Sequence, residues 1–396
     1  MRIVLIADTF PPLRSSGAVQ LRDLAREFVR QKYKLTVLLP SPDQKVSCNI
    51  QKFDGAEVIR LKAPKTKDVS YVRRTIAELL MPFYMLRGLK KSHAHDRYWD
   101  GVVWYSPSIF HGPLVHIIKN SSRCKSYLII RDIFPEWALD MGLMGRGLKY
   151  YFFNAIAQYQ YSVADVIGIQ SPGNANYFRD WLKKRNRRLE VLPNWLGGSE
   201  HSPSSINIDI TRLSGRKVFI YAGNMGVAQG MNIFFGLADK LKNRQDIGFL
   251  FVGRGSEVIR LKKISKSLQL DNVDFYDEID PDEIPNLYSQ CIAGIVALDN
   301  RHRSHNIPGK FLTYLQNGLP VLANVNTGND IVNIIKENKI GQACDSNDVN
   351  DLVNLTEKLL ADIKIDKTIS KRCINLFNKE FAVKKTVEQI VRALSS

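Results

Sequence analysis

MRIVLIADTFPPLRSSGAVQLRDLAREFVRQKYKLTVLL, residues 1–39, opens the chain. Ile3 to Ala7 is a short apolar run stopped by Asp8, which is how a fully buried parallel strand reads. Thr9 to Gly17 is a loop rich in Pro, Ser and Gly. Val19 to Arg30 then repeats apolar residues at helical spacing through Leu21, Leu24, Ala25 and Phe28. Leu35 to Leu39 is a second apolar run. Strand, loop, helix, strand is the opening of a doubly wound parallel sheet.

The alternation continues through strands expected at Val102–Tyr105, Ser126–Ile130, Val166–Ile169 and Leu189–Leu192. Around residue 198 the texture changes to Gly-Gly-Ser-Glu-His-Ser-Pro-Ser-Ser, a linker composition. A second series then starts, with strands expected at Val218–Ala222, Gly248–Val252, Val273–Tyr276, Ala293–Ala297 and Pro320–Ala323. The expected organisation is a Rossmann-like domain over 1–198 and a second over 210–375. A helix over 376–396 is expected to pack back on the first domain. Open parallel sheets bind ligands beyond the carboxyl ends of their strands. Two such sheets facing each other would make a cleft, with the chemistry on the loops after each strand.

Composition narrows the partners. Lys and Arg total 56 against 39 Asp and Glu, a net charge of +17. That excess favours anionic partners without choosing among nucleic acid, lipid and phosphorylated ligands. Cys48, Cys124, Cys291, Cys344 and Cys373 are scattered and never form a CxxC pair, which argues against a zinc site or a disulfide framework. The opening residues Met1–Asp8 are too soon interrupted for a signal peptide. No apolar run is long enough to span a bilayer. The chain is expected to be soluble or peripheral.

Five loops at expected strand ends carry chemistry. In Phe10–Gly17, Gly17 opens the first helix, whose free amides favour an anion; an ordinary strand-to-helix turn is the plainer reading. Arg131-Asp132-Ile133-Phe134-Pro135-Glu136-Trp137 sets two carboxylates and an arginine at a strand end. That suits orienting a hydroxyl or taking its proton, or simply capping a helix. Tyr221–Asn232 is a turn with Gly223, Gly226 and Gly230, which lets amides approach a diphosphate. No Gly-Lys-Ser/Thr follows, so it is not a P-loop. Gly253-Arg254-Gly255 repeats the device with a cation between the glycines. Arg301 to Leu315 brings Arg303, His305, Asn306, Pro308, Gly309 and Lys310 to a helix start. A diphosphate there would be neutralised by Lys310 and an arginine. A metal pair at His302 and His305 is the competing idea, with no third ligand in view.

A further stretch is basic and aromatic. Nine Lys or Arg lie between Arg60 and Lys91, and Met81–Lys91 mixes apolar with cationic residues. Trp181–Arg188 adds another cluster. Such stretches suit an anionic membrane surface. They also fit a solvated helix face over a core stripe. Nucleic acid is disfavoured because no recognition motif accompanies the charge.

Taken together, Thr9–Pro12, Arg131–Glu136, Pro193–Trp195, Gly223–Gly230 and Pro308–Lys310 through Pro320-Val321 resemble the GT-B glycosyltransferases of family 4. The resemblance spans nearly the whole chain. Tyr105–Phe110, Tyr127–Asp132 and Arg301–Lys310 look most like N-acetyl-L-fucosamine transferases of O-antigen and capsule clusters. The resemblance implies an α/β GT-B fold, with two Rossmann-like parallel-sheet domains facing across a cleft. It also implies a retaining, metal-independent transferase with no cofactor and a UDP-sugar as donor substrate. The implied acceptor is an undecaprenyl-diphosphate-linked sugar, met at the inner face of the cell membrane by a cytoplasmic, peripheral enzyme.

On this resemblance Asp132, Lys310 and Arg254 are the catalytic candidates. Gly17, Gly223, Asn224, Gly226, Gln229, Gly253, Tyr276, Arg303, His305, Asn306, Pro308, Gly309 and Thr313 are expected at the donor. Arg131, Glu136 and Tyr105 are expected at the acceptor. The chain departs from the family pattern in two places. The two glutamates that precede Gly-x-Pro-Val, seven residues apart, are His305 and Thr313 here. The usual Arg and Lys of the glycine turn are Asn224 and Gln229. A UDP-sugar 2-epimerase, or a non-catalytic binding subunit with a degenerate sugar site, are the rival readings.

Overall fold

The computed structural model describes residues 1–13, 15–94, 96–184, 186–198, 202–303, 305 and 307–396. By internal contact the chain divides into two compact units, Met1–Gly197 with Val383–Ser396, and Gly198–Ala382.

The first unit carries strands β1 (Arg2–Ile6), β2 (Lys34–Ser41), β3 (Cys48–Phe53), β4 (Ala56–Lys62), β5 (Gly101–Tyr105), β6 (Lys125–Ile129), β7 (Val166–Ile169) and β8 (Arg188–Val191). Its helices are α1 (Ser16–Arg30), α2 (Tyr71–Lys90), α3 (Gly112–Ser122), α4 (Glu136–Asp140), α5 (Leu148–Val163) and α6 (Arg179–Leu182). Sheet order is β3-β4-β2-β1-β5-β6-β7-β8. All pairings are parallel except β3 with β4. That hairpin was not expected. It turns on Asp54-Gly55, both with positive φ (46° and 84°), as a tight two-residue turn demands.

The β1 side chains alternate between two cores, because strand residues point to opposite faces. Val4 and Ile6 join α2, α3 and α5 through Met81, Met85, Val115 and Tyr161. Ile3 and Leu5 face α1 and the C-terminal helix through Leu24, Phe28, Val387 and Ile390. Ser15 starts α1 by accepting a bond from the Ala18 amide at 3.3 Å.

The second unit carries β9 (Lys217–Ala222), β10 (Ile247–Val252), β11 (Val273–Tyr276), β12 (Ala293–Ala297), β13 (Val321–Asn324) and β14 (Gly341–Cys344). Its helices are α7 (Asn232–Lys240), α8 (Val258–Ser267), α9 (Ile284–Tyr288), α10 (Gly309–Gln316), α11 (Asp330–Asn338), α12 (Val349–Ile365) and α13 (Ile369–Leu376). The order β11-β10-β9-β12-β13-β14 is parallel throughout.

The last helix, α14 (Val383–Ser395), belongs to the first unit. The change of unit comes at Val383 rather than at residue 376. Phe381 is held by the second unit, with its ring 6.0 Å from Phe311. From Val383 onward the buried stripe Val387, Ile390 and Leu394 lies on the first sheet.

Both sheets reverse direction of winding beside their first strand. β1 lies between β2 and β5, and β9 lies between β10 and β12. Ligands of such sheets bind at this switch point. In the first unit that selects the loops after β1 and β5. In the second it selects the loops after β9 and β12.

Candidate functional site

At the switch point of the second sheet, β9 runs into Gly223. Its φ of +136° is open only to glycine in practice, and a Cβ there would sit 3.5 Å from Cε of Lys310. Thus the glycine turn after β9 and the lysine at the start of α10 come together, although 87 residues separate them in sequence. The Lys310 ammonium rests 4.5 Å over the Tyr221 ring. It has no hydrogen bond or ion pair to a described residue. Pro308 caps α10 without a side-chain bond. The first amides of that helix, near Gly309 and Lys310, are therefore available to an anion.

The turn is locked from behind by a second glycine pair. A Cβ on Gly253 would lie 2.1 Å from the Gly223 carbonyl, and one on Gly255 would lie 2.2 Å from that of Met225. The Gly223 amide donates to Val252 at 2.9 Å, and the Met225 amide to Arg254 at 2.7 Å. Gln229 accepts from the Gly226 amide at 2.8 Å and lies 3.4 Å from the Asn224 side chain. Asn224 and Gln229 thus shape the turn from within. They bring no charge to it.

The remaining cations around this turn are engaged. Arg254 Nε is 3.1 Å from Glu278, both being largely exposed. A cavity of 250 Å³ opens beside the turn, lined by Gly226, Gly230, Glu257, Arg260, Asp299 and Arg301. In it Arg260 pairs with Glu257 and Arg301 with Asp299, at 2.5 and 2.8 Å. Lys310 is therefore the cation here best placed to meet an incoming anion.

His305 Nδ1 lies 3.2 Å from the Asp330 carboxylate at the start of α11. Asp330 was not expected at the site; it stands near the position where the resemblance lacks an acid. The Thr313 hydroxyl donates to the Gly309 carbonyl at 3.2 Å, so it serves the helix. Tyr276 ends β11, where its carbonyl accepts from the Gly253 amide at 3.0 Å. Arg303 is exposed. Asn306 lies outside the described residues. Among the described residues, no group of three His, Cys, Asp or Glu could hold a metal.

The carboxyl end of the first sheet is built differently. Arg131 follows β6 and is buried. It stacks 4.4 Å over Trp195 and donates to the Leu192 carbonyl at 3.1 Å. Burial pulls its pKa down to about 10. Burial pushes the Tyr105 phenol well up, with Arg131 pulling the other way, while its hydroxyl donates to Gln20 at 3.0 Å. Asp132 is raised above the ordinary aspartate range by burial, against the pull of Arg131. Glu136 is raised by burial as well, while its own backbone amide and the Tyr150 hydroxyl at 3.4 Å oppose the shift. Glu136 also opens α4, with Pro135 at the N-cap position, as the helix-start reading of this loop expects. Gly17 sits here too, in the first turn of α1. A Cβ on it would meet Thr9 at 3.2 Å and the Tyr105 hydroxyl at 3.4 Å.

One residue of this end was missed in the sequence. His111 stands at the N-cap position of α3 after β5, is fully buried, and has no hydrogen-bond partner for either ring nitrogen among the described residues. Burial pushes its pKa below the ordinary histidine value, against the charge of Asp8 at the end of β1. A buried polar group is ordinarily hydrogen-bonded, to protein or to ordered water. The available signal was position: His111-Gly112-Pro113 follows a strand directly and opens a helix.

The basic cluster at 181–188 is partly structural. Trp181 is buried, Arg187 lies 5.6 Å over its ring, and Arg187 also donates to the Ser162 carbonyl at 2.5 Å. Residue 185 lies outside the described residues.

Residues 206–375 match the family described as Glycosyl transferases group 1. The chain is 25% identical over 248 residues to the probable glycosyltransferase WbjE of Pseudomonas aeruginosa, covering 61% of this chain and 62% of that one. It is 23% identical over 262 residues to the putative colanic acid biosynthesis glycosyl transferase WcaI of Escherichia coli K12, covering 63% and 62%. The matched region thus spans under two thirds of either relative. Among solved structures, the chain is similar to sucrose-phosphate synthase from Thermosynechococcus elongatus, with TM-score 0.75, 14% identity, and 99% and 98% of the two chains covered. It is also similar to Anabaena HepE in complex with UDP, with TM-score 0.68, 16% identity and both chains fully covered. These likenesses establish the architecture as GT-B, with two parallel-sheet α/β domains.

Proposed function

We propose that the chain is a retaining glycosyltransferase. It moves N-acetyl-L-fucosamine from its UDP donor to a lipid-diphosphate-linked saccharide at the cytoplasmic face of a membrane, in surface-polysaccharide assembly. The observation that carries this reading is the Lys310 ammonium poised beside the Gly223 turn at the switch point of the second sheet. The group 1 match over residues 206–375 covers this turn and this lysine. The UDP held by HepE supports a uridine diphosphate as the anion.

In this reading the bond between the anomeric carbon and the diphosphate oxygen breaks, leaving charge on the diphosphate. Lys310, the amides at the start of α10 and those of the glycine turn stabilise that charge as it grows. Arg254 assists after releasing Glu278. The acceptor hydroxyl attacks from the face the diphosphate leaves, and its proton passes to the departing phosphate oxygen. Asp132 orients that hydroxyl, helped by Tyr105, Arg131 and Glu136. Asp330 fixes the orientation of His305 at the donor. No metal or cofactor is needed by this scheme.

The test is UDP release from a panel of UDP-sugars, including UDP-N-acetyl-L-fucosamine, with and without a lipid-diphosphate-sugar acceptor. Acceptor-dependent release from that donor, with the anomeric configuration of the product retained, is expected. Acceptor-dependent release from a different sugar alone would overturn the donor assignment. Epimerised nucleotide sugar without an acceptor would replace the reading with an epimerase.

A further inference from the structure

Helix α2 is apolar on both sides. Its inner side places Met81, Met85 and Leu89 in the first unit's core. Its outer side exposes Val72, Ile76, Leu79 and Phe83, by 71, 52, 36 and 56%. At about 100° per residue, these four fall within about 60° of one another. Leu80 and Tyr84 flank the stripe, exposed as well. A water-facing helix surface is ordinarily polar, and a contiguous exposed apolar patch marks a binding surface. Helix α5, in the same helical layer through α3, adds exposed Leu148, Tyr151, Phe152 and Tyr159.

Cations complete the pattern. Arg73, Arg74, Arg87 and Lys90 lie on α2 against a single carboxylate, Glu78. Arg74 pairs with Glu78 at 2.9 Å. Arg73, Arg87 and Lys90 have no carboxylate partner among the described residues. Arg87 and Lys90 continue the apolar stripe at its C-terminal end. A second copy of the chain docked here would oppose its own cations, in a protein of net charge +17. A surface that is apolar in its depth and anionic at its rim matches both features.

We infer that the outer face of α2, with the first turns of α5, lies in the interface of an anionic lipid bilayer. Its apolar stripe enters the headgroup boundary and its cations meet lipid phosphates. No described helix is long and apolar enough to cross a membrane, so the helix lies along the surface. The inner side of α2 shares the core beneath the first sheet, where Met81 and Met85 lie with Val4 and Ile6 of β1. Docking would thus hold the first sheet beside the bilayer. The inference deepens the transfer reading, on which it rests for its placement at a membrane face, by naming the surface that meets the bilayer.

The full chain, incubated with vesicles of phosphatidylglycerol and phosphatidylcholine in equal parts, is expected to co-sediment with them. It should bind phosphatidylcholine vesicles at least tenfold less. Ile76→Glu/Phe83→Glu should reduce binding at least tenfold, and Arg73→Glu/Arg87→Glu should weaken it and flatten its salt dependence. Ile259→Glu, an exposed apolar position on α8, should bind as the parent does. All these sites are exposed, and unchanged thermal midpoints check that the variants fold. A parent that ignores the vesicles, α2 variants that bind like the parent, or a parent dimer that Phe83→Glu makes monomeric would each overturn the inference. UDP release with a short-chain soluble acceptor is expected to be unchanged in Phe83→Glu, and it separates failure of docking from failure of the transferase reading.

Discussion

At the end of β5 and β6, the chemistry proposed above rests on side chains whose ionisation burial has shifted. Arg131 is pulled down to about 10, and Asp132 is pushed above its ordinary range. At the end of β9 and β12, it sits on backbone amides and one lysine whose only described partner is the Tyr221 ring. The contrast fits the two ligands proposed. A diphosphate brings its own charge and is met by dipoles and a cation that need no burial beforehand. A neutral hydroxyl brings no charge, so the protein must hold a desolvated carboxylate ready for it, at a cost in stability.

The largest effect should come from the second unit. Lys310→Ala is expected to lower kcat by about 10²–10³-fold, the loss seen when a charge-stabilising group is removed. Its thermal stability should change by only about 0.5–1 kcal/mol, the scale of one cation–π contact. Steady-state UDP release and a melting curve check the pair. An unchanged kcat would move the diphosphate away from α10 and end the comparison.

Asp132→Asn should lower kcat by about 10²-fold or more, but with the opposite effect on stability. A raised carboxyl pKa means the folded chain holds the proton more tightly than the unfolded chain. The ionised form therefore destabilises the fold above that pKa, and the penalty fades as pH falls through it. The asparagine variant should melt higher than the parent near neutral pH, and the two should converge in acid. In the parent, activity should fall with acid through a pKa above the ordinary aspartate range, because the orienting group must be ionised. A parent profile flat through that range, or an Asn variant that melts lower near neutral pH, would mean that Arg131 needs the charge more than burial penalises it.

How much of this was legible in sequence differs between the two ends. Gly223, Gly253 and Lys310 announce themselves, because backbone conformation and helix starts are local properties. Strand cores such as Ile3 to Ala7 were equally plain. The β3–β4 hairpin was missed although Asp54-Gly55 signals its turn, since β3 is largely exposed and shows no apolar alternation. His111 was missed because its burial depends on α3 and on the end of β1, which no local pattern reports. The Asp330 carboxylate beside His305 was hidden for the same reason, 25 residues away in sequence. The outer face of α2 was legible only in part: Met81–Lys91 reads as apolar mixed with cationic residues, but Val72, Ile76 and Leu79, on a helix apolar on both sides, read as core.

Gly253→Ala probes the second end through packing. Its φ is +140°, and the added Cβ would fall 2.1 Å from the Gly223 carbonyl oxygen. The strain should cost about 2–4 kcal/mol of stability. The donor KM should rise with it, since the Gly223 turn must shift. Gly198→Ala, where an added Cβ meets nothing within 4 Å, is the control. If Gly253→Ala weakens folding but leaves the donor KM alone, the glycine pair serves the fold only and the turn does not bind diphosphate.

Arg254→Ala should have the smallest effect. Exposed ion pairs contribute about 0–1 kcal/mol, so loss of the Glu278 contact should barely move the melting temperature. For catalysis, Arg254 must leave Glu278 before it can reach a diphosphate, and what it gains there is offset by what it gives up. A loss of roughly tenfold in kcat/KM, well short of that for Lys310→Ala, is expected. The partner sharpens the test. Glu278→Gln frees the guanidinium and should lower the donor KM, and this gain should vanish in the double variant with Arg254→Ala. If Glu278→Gln changes nothing while Arg254→Ala still costs tenfold, the arginine already faces the donor in the working enzyme. The second unit would then meet its diphosphate with two cations rather than one.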